Sequence, residues 1–230
     1  VCMAAEAAGT KREQEGAGTM ARLSTASLTV GDLAVNCWFL ANEDTKEALV
    51  FDPGDEAEQI LAYADQKGWK ITFILLTHGH ADHMGGAEEL KRLTKAPVYA
   101  LEEEAPMLKN GKTNLSVFIQ RRTITMEADE YVKDGQELTL SGIRLKVLHT
   151  PGHTPGGCCY YCEEAGCVFA GDTLFQGSVG RSDFPGGSMS QLIRSVKEKL
   201  FLLPDTAKVY PGHGEETSIA YEKKYNPFVG

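Results

Sequence analysis

Three of the chain's six histidines fall within six residues, in Thr77-His78-Gly79-His80-Ala81-Asp82-His83. The run follows an apolar segment, Ile71-Thr72-Phe73-Ile74-Leu75-Leu76, that reads as a buried strand. His78 and His80 are two apart, so in extended backbone both imidazoles point to the same side. Asp82 and His83 then continue into a turn that swings them toward a second position. A lone histidine is more often a core or surface residue. Three imidazoles and a carboxylate just past a strand serve no packing purpose, and their types and spacing are those of metal ligands.

The same design recurs along the chain. His153 lies in His149-Thr150-Pro151-Gly152-His153-Thr154-Pro155-Gly156, after the apolar run Leu145-Lys146-Val147-Leu148. Asp172 ends Val168-Phe169-Ala170-Gly171-Asp172-Thr173, and His213 sits in Val209-Tyr210-Pro211-Gly212-His213-Gly214. Each is a candidate ligand on a Gly-flanked loop after a strand, where rigid scaffold meets surface. Singly each is a weak signal; with the first cluster they are a strong one.

These motifs resemble the metallo-β-lactamase fold superfamily, and within it the glyoxalase II-type hydroxyacylglutathione hydrolases. THGHADHMGG (Thr77 to Gly86), HTPGHTPG (His149 to Gly156), GDTLF (Gly171 to Phe175) and YPGHG (Tyr210 to Gly214) occur in that family's order, over roughly residues 21 to 230. The resemblance implies an α/β fold, a four-layer αββα sandwich with a two-metal cleft at one edge. By position, His78, His80 and His153 would hold one metal, Asp82, His83 and His213 the other, and Asp172 would bridge them. His149 matches a family position that is not a ligand, and is read as supporting the ligands or the loop. The chain is similar to compact forms without the C-terminal helical domain that supplies basic contacts to glutathione in longer members.

The chemistry also follows from the residues. Seven ligands exceed what one tetrahedral zinc takes, so the count suggests two divalent ions, most simply Zn2+, with Fe or Mn accepted by the same donors. Two ions about 3.5–4 Å apart hold a bridging hydroxide at neutral pH and polarise a carbonyl, so no Ser, Cys or Lys nucleophile is required. A thioester suits such a site, because a thiolate of pKa about 8.5 leaves without much proton assistance. The expected activity is therefore a metal-dependent hydrolysis of acyl thioesters of the S-lactoylglutathione type, with Asp82 and Asp172 as the catalytic carboxylates. Asp82, as a ligand, is a poor free base. The Gly-rich loop from Leu174 to Gly187 is the expected substrate rim, with Phe175 and Arg181 as its candidate contacts. The competing reading for Arg181 is a structural bridge to Asp183 or to a backbone carbonyl.

Three other readings compete. A mononuclear-iron persulfide dioxygenase shares this fold and the GRxDF segment, here Gly180 to Phe184, and would use His78, His153 and Asp172. A secreted β-lactamase is disfavoured by Asp172, where many zinc β-lactamases carry cysteine. A non-catalytic metal-binding module predicts a damaged ligand set, and none of the seven positions is damaged.

Composition sets the remaining bounds. A chain of 230 residues, 42% hydrophobic, can bury one sizeable core, and residues 21–230 are read as a single domain. A formal charge of −9 argues against nucleic acid or an anionic membrane as partner, and no segment is apolar for long enough to span a bilayer. The expected partner is a small-molecule thioester. Residues 1–20 read as a disordered or non-native extension ahead of Met20; with no apolar core in Val1 to Arg22, no secretory signal is seen, and a cytoplasmic location is expected. Cys158, Cys159, Cys162 and Cys167 then read as reduced, apolar strand residues, because Cys159 and Cys162, three apart on a strand, face opposite sides.

Pattern predicts strands over Leu23 to Val30, Ala34 to Leu40 and Ala48 to Phe51, and a helix from Ala57 that ends near Gly68. A second helix is expected over His83 to Leu93, and a partly helical connection over Glu102 to Met126. Short strands follow from 137 to 170, then an amphipathic helix from Met189 to Leu200 and a last helix over Glu216 to Lys224.

Overall fold

The computed structural model describes residues 21–230; the reading of residues 1–20 as an extension lies outside the described residues. Two six-stranded sheets face each other. The first runs in chain order through β1 (Leu23–Val30), β2 (Val35–Asn42), β3 (Glu47–Phe51), β4 (Lys70–Leu75), β5 (Val98–Leu101) and β6 (Glu130–Val132). It is antiparallel as far as β3 and parallel from there on. The second contains β7 (Glu137–Leu140), β8 (Ile143–His149), β9 (Cys158–Cys162) and β10 (Cys167–Gly171). After a small hairpin of β11 (Leu174–Phe175) and β12 (Ser178–Val179), it is completed by β13 (Lys208–Pro211) and β14 (Thr217–Ser218), in the order β14-β13-β10-β9-β8-β7.

Strand alternation builds the layers. In β2, Cys37, Phe39 and Ala41 face outward to a core shared with helices α1 (Ala57–Lys67), α2 (Ala81–Met84) and α3 (Ala87–Thr94). Trp38 and Leu40 of the same strand face the second sheet. β10 repeats the division: Cys167 and Phe169 point between the sheets, and Val168 and Ala170 point outward. Where the chain reaches Glu102–Glu104 it forms a 3-10 turn, followed by α4 (Ala105–Leu108) and α5 (Ser116–Ile119). Helix α6 (Met189–Glu198) lays Leu192 and Val196 on the outer face of the second sheet, and α7 (Ile219–Tyr225) adds Ile219 to the same core. The result is the four-layer αββα sandwich expected from the sequence. Cys159 faces the outer core and Cys162 the space between the sheets, as their spacing requires. Among the described residues no helix is long and apolar enough to cross a membrane.

Two helices differ from expectation for local reasons. The helix expected over His83 to Leu93 is broken at Gly85-Gly86 into α2 and α3, because the Asp52-Pro53-Gly54 loop occupies the notch. Gly86 N–H donates to Pro53 O at 2.9 Å, and a Cβ on Gly54 would fall 1.5 Å from Asp82 O. Only glycine lets the helix that carries Asp82 close on the loop that carries Asp52. The last helix starts at Ile219, not Glu216, because Ser218 caps it by accepting from Tyr221 N–H while Thr217 and Ser218 pair with β13.

The two sheets are joined by stacked aromatics: Phe51 lies on Phe169 with ring centroids 3.8 Å apart, beside Tyr160. Phe51 is 1% exposed, so Phe51→Ala leaves a cavity and should cost about 3–5 kcal/mol of stability. Urea unfolding of the two proteins measures this; a loss below about 1 kcal/mol would show that the contact between the sheets is not closed there.

Candidate metal centre

The loops that follow β3, β4, β8, β10 and β13 meet at one edge of the sandwich, and each delivers side chains to the same point. His78, His80 and His153 each offer a ring nitrogen within 4.8 Å of the others, and so do Asp82, His83 and His213 with their own ligand atoms. Within the first set His80 Nδ1 is 2.9 Å from His153 Nε2. Within the second, His83 and His213 approach through their Nε2 atoms at 3.3 Å, and Asp82 Oδ2 lies 3.3 Å from His213 Nε2. Ligands at about 2.0–2.1 Å from a tetrahedral ion stand about 3.3 Å apart, so these separations suit a shared cation.

Asp172 lies between the two sets. Its Oδ2 is 3.4 Å from His153 Nε2 and 3.8 Å from His213 Nε2, and its Oδ1 is 3.3 Å from His83 Nε2. His78 Nε2 and Asp172 Oδ1 are buried without a hydrogen-bond partner. Buried polar atoms are rarely left so, and a divalent cation would satisfy them. All seven residues singled out in the sequence thus converge, and the two clusters fit a dinuclear metal site.

Supporting groups fix which nitrogen each ring presents. His83 Nδ1 lies 2.9 Å from Asp52 Oδ2, and His153 Nδ1 lies 2.6 Å from the carbonyl of Arg181, so both rings carry their proton there and turn Nε2 inward. Thr77 donates through Oγ1 to Asp52 Oδ2 and stands 3.1 Å from His78 Nδ1, leaving His78 Nε2 free. Asp52 also accepts from Thr77 N–H at 2.7 Å. Although Asp52, His78 and His83 lie close enough to resemble a third ligand group, the Asp52 carboxylate is already occupied by these three donors.

A second buried carboxylate ties the loops together. Glu104 accepts from Gly79 N–H at 2.8 Å through one oxygen and from Gly156 N–H at 2.7 Å through the other. Gly79 separates His78 from His80, and Gly156 closes the turn that holds His153. Glu104 therefore sets the spacing between the strand-β4 loop and the strand-β8 loop. Around the last ligand, Trp38 Nε1 donates to Pro211 O at 2.8 Å, and Asn36 donates through Nδ2 to Pro211 O and Gly214 O. A Cβ at Gly212 would lie 2.4 Å from Asp172 Oδ1 and 2.5 Å from His83 Cε1, so glycine is required beside His213.

Charge is divided within the cluster. Burial, reinforced by neighbouring imidazoles, holds His78 well below its ordinary pKa and takes His80 down to about 3, so both are neutral and ready to ligate. Against its own burial, His83 is raised by the carboxylates of Asp172, Asp82 and Asp52. Against theirs, Asp82 and Asp172 are held below the carboxylate range, chiefly by His83. Both carboxylates are thus ionised at neutral pH.

The remaining sequence candidates lie around this centre. Phe175 presents its ring edge to His213 at 6.3 Å. Arg181 pairs with Asp183 through two bonds of 2.8 Å and stacks on Phe184 at 4.0 Å, so its side chain makes the structural bridge weighed in the sequence and its carbonyl is what reaches the ligands. His149 sits apart, with Nε2 2.9 Å from Pro155 O, bracing the loop that carries His153. Asp52, Glu104, Asn36 and Trp38 were not singled out in the sequence. Asp52 shares the Gly-flanked strand-end signature of the ligands, whereas Glu104 sits in a run of three glutamates that looks like solvated surface.

Comparison with known proteins decides the family. The sequence profile of the Metallo-beta-lactamase superfamily matches residues 30–213. The chain belongs to that superfamily. It is 38% identical to a probable metallo-hydrolase, YqgX, of Bacillus subtilis over 88% of this chain and 95% of that one. It is 36% identical to the hydroxyacylglutathione hydrolase GloC of Haemophilus influenzae, over 81% and 89%. Among solved structures, BLEG-1 B3 metallo-beta-lactamase superposes with a TM-score of 0.85 at 36% identity, covering 90% of this chain and 99% of that one. TTHA1623 in a di-iron-bound form gives 0.78 at 34%, over 88% and 99%. ETHE1 from Myxococcus xanthus gives 0.74 at 31%, over 89% and 83%. Members of this superfamily are typically hydrolytic enzymes.

Removing the Glu104 clamp tests the support. Glu104→Ala should weaken metal binding about 10–100-fold while the fold survives, with Glu104→Gln in between. Chelator competition gives the affinities, and circular dichroism checks the fold. Unchanged affinity in both variants would mean that the two loops are held by other contacts.

Proposed function

We propose that the chain hydrolyses acyl thioesters at a dinuclear metal centre. The observation that carries this reading is Asp172, an ionised and almost buried carboxylate placed between two three-residue ligand sets. His78, His80 and His153 would hold one ion, Asp82, His83 and His213 the other, and Asp172 would touch both. Two divalent ions so held supply Lewis acidity, polarising a carbonyl and lowering the pKa of water toward neutrality. Zn2+ is the simplest occupant, with Fe or Mn as alternatives for the same donors.

The chemistry of the leaving group favours a thioester over an amide. An amide nitrogen must be protonated as it leaves, a demand that a thioester does not make. A thiolate of pKa about 8.5 leaves without such help. The work left to the protein is to hold Asp172, keep the ligand nitrogens aimed and admit the acyl group past Phe175. The name of the GloC relative, a hydroxyacylglutathione hydrolase, supports a glutathione thioester as the substrate type.

One observation favours a second reading. The Gly180–Phe184 loop, which matches a persulfide-dioxygenase segment, is bonded directly to His153 through the Arg181 carbonyl. Oxygen uptake with glutathione persulfide, in place of thioester cleavage, would establish that activity.

Two measurements test the hydrolase. Metal analysis of loaded protein should find two ions per chain; a firm limit of one would favour the single-iron alternative. Asp172→Ala should abolish thioester cleavage, while His149→Ala should retain measurable turnover, about 10–100-fold down. Equal collapse in both variants would show that His149 acts at the centre and not on its loop.

A further inference from the structure

A second cavity opens beside Asp82. Its volume is about 500 Å3, and its lining joins the β1–β2 turn, with Asp32 and Leu33, to Asp55 after β3 and to Gln120, Arg121 and Arg122 after α5. Among the described residues the arginines that form ion pairs are Arg22, Arg92, Arg144 and Arg181, which leaves Arg121 and Arg122 of this cavity, like Arg194 elsewhere, with no carboxylate partner. Both are exposed. Arg121 is held in the left-handed region at φ 54°, a conformation that persists only where the surroundings impose it.

The surroundings that impose it belong to the metal centre. Ala81 N–H donates to Asn114 O at 2.8 Å, and Gln120 Nε2 donates to Ala81 O at 3.5 Å. The segment bearing the arginines is thus bonded at two points to the helix that carries Asp82 and His83. Gln120 Oε1 is buried there with no partner, an acceptor still open within the same wall. Two guanidiniums without a carboxylate partner, carried on a segment bonded to the metal centre, suit a carboxylate, which they can grip in a planar fork.

The opposite charges in the cavity narrow the ligand further. Asp32 and Asp55 line the same space, whereas Asp82 is committed to the metal centre. A polyphosphate carrier would meet these two aspartates with like charge. A carrier that bears an ammonium beside its carboxylate, as the end of an amino acid or peptide does, meets both signs. We infer that this cavity is the binding subsite for the carrier half of the thioester, that Arg121 and Arg122 are its specificity-determining residues, and that the carrier is a thiol of amino-acid or peptide type. The inference rests on the hydrolase reading for its location but has its own readout.

The test compares the wild type with an Arg121→Ala/Arg122→Ala double variant. With S-lactoylglutathione and the uncharged S-lactoyl-N-acetylcysteamine, which share an acyl group, the ratio of the two kcat/KM values should fall at least tenfold in the variant, through KM of the charged substrate. An unchanged ratio overturns the assignment. A larger loss with S-acetyl-coenzyme A than with the peptide thioester would also overturn it, by marking a phosphate site. Calorimetric binding of the non-hydrolysable S-methylglutathione to metal-loaded protein provides a measure independent of turnover. Weakening by tenfold or more in the variant supports the subsite even if no thioester is cleaved, in which case the hydrolase reading alone fails. Absence of binding to the wild type, or equal binding to both proteins, overturns the subsite.

Discussion

A carboxylate withdrawn from water is costly unless cationic groups surround it. Asp172, with a side chain 11% exposed, is such a group, and four of the five strand-end loops at the sandwich edge are arranged around it. It draws its stabilisation from His83, His153 and His213, which arrive from the loops after β4, β8 and β13. These imidazoles approach the carboxylate to between 3.3 and 3.8 Å. The twelve-stranded scaffold is rigid enough to impose that approach, because its three apolar cores close on both faces of both sheets.

Rigidity at the strand ends does not by itself aim a side chain. The loops are aimed by two further buried carboxylates that touch no ligand set of their own. Asp52 joins Thr77 to His83 and thereby fixes one ring from each cluster. Glu104 joins two backbone amides, and burial raises its pKa even as those amides stabilise its charged form. A buried carboxylate with both oxygens satisfied acts as a stiff two-pronged clamp, since breaking either bond leaves a charge unpaired. The cradle is therefore a product of hydrogen-bond geometry as much as of the ligands themselves.

The sequence made the cradle legible because metal ligands are few in kind and keep strict spacing. His78, His80, Asp82, His83, His153, Asp172 and His213 stand in motifs whose glycines and strand ends identify them without a structure. The layers were legible too, since the strands come in two groups with helices inserted after each. The break between α2 and α3 was not, because Gly85-Gly86 is tolerated in a helix and only the distant Asp52-Pro53-Gly54 loop forces the break. Glu104 was hidden for a related reason. Its role depends on two amides 25 and 52 residues away, and nothing local distinguishes it from its exposed neighbours. Arg181 shows the converse, a residue legible for its side chain whose decisive atom is its carbonyl.

Two physical constraints of different strength therefore act on the two halves of the site. Ligand atoms must converge to within a few tenths of an ångström, and the chain meets that demand from strand ends stiffened by the core. Substrate contacts tolerate more, and those proposed for this chain fall on two loops, residues 110–124 and 175–187. Both segments are nonetheless bonded to the cradle, the first through Ala81 and the second through His153. A change in either loop can thus alter which molecule is admitted while leaving the metal geometry intact. That separation accounts for how one fold and one ligand set can serve several chemistries, and why identity of the ligands alone fixes the type of reaction more firmly than its substrate.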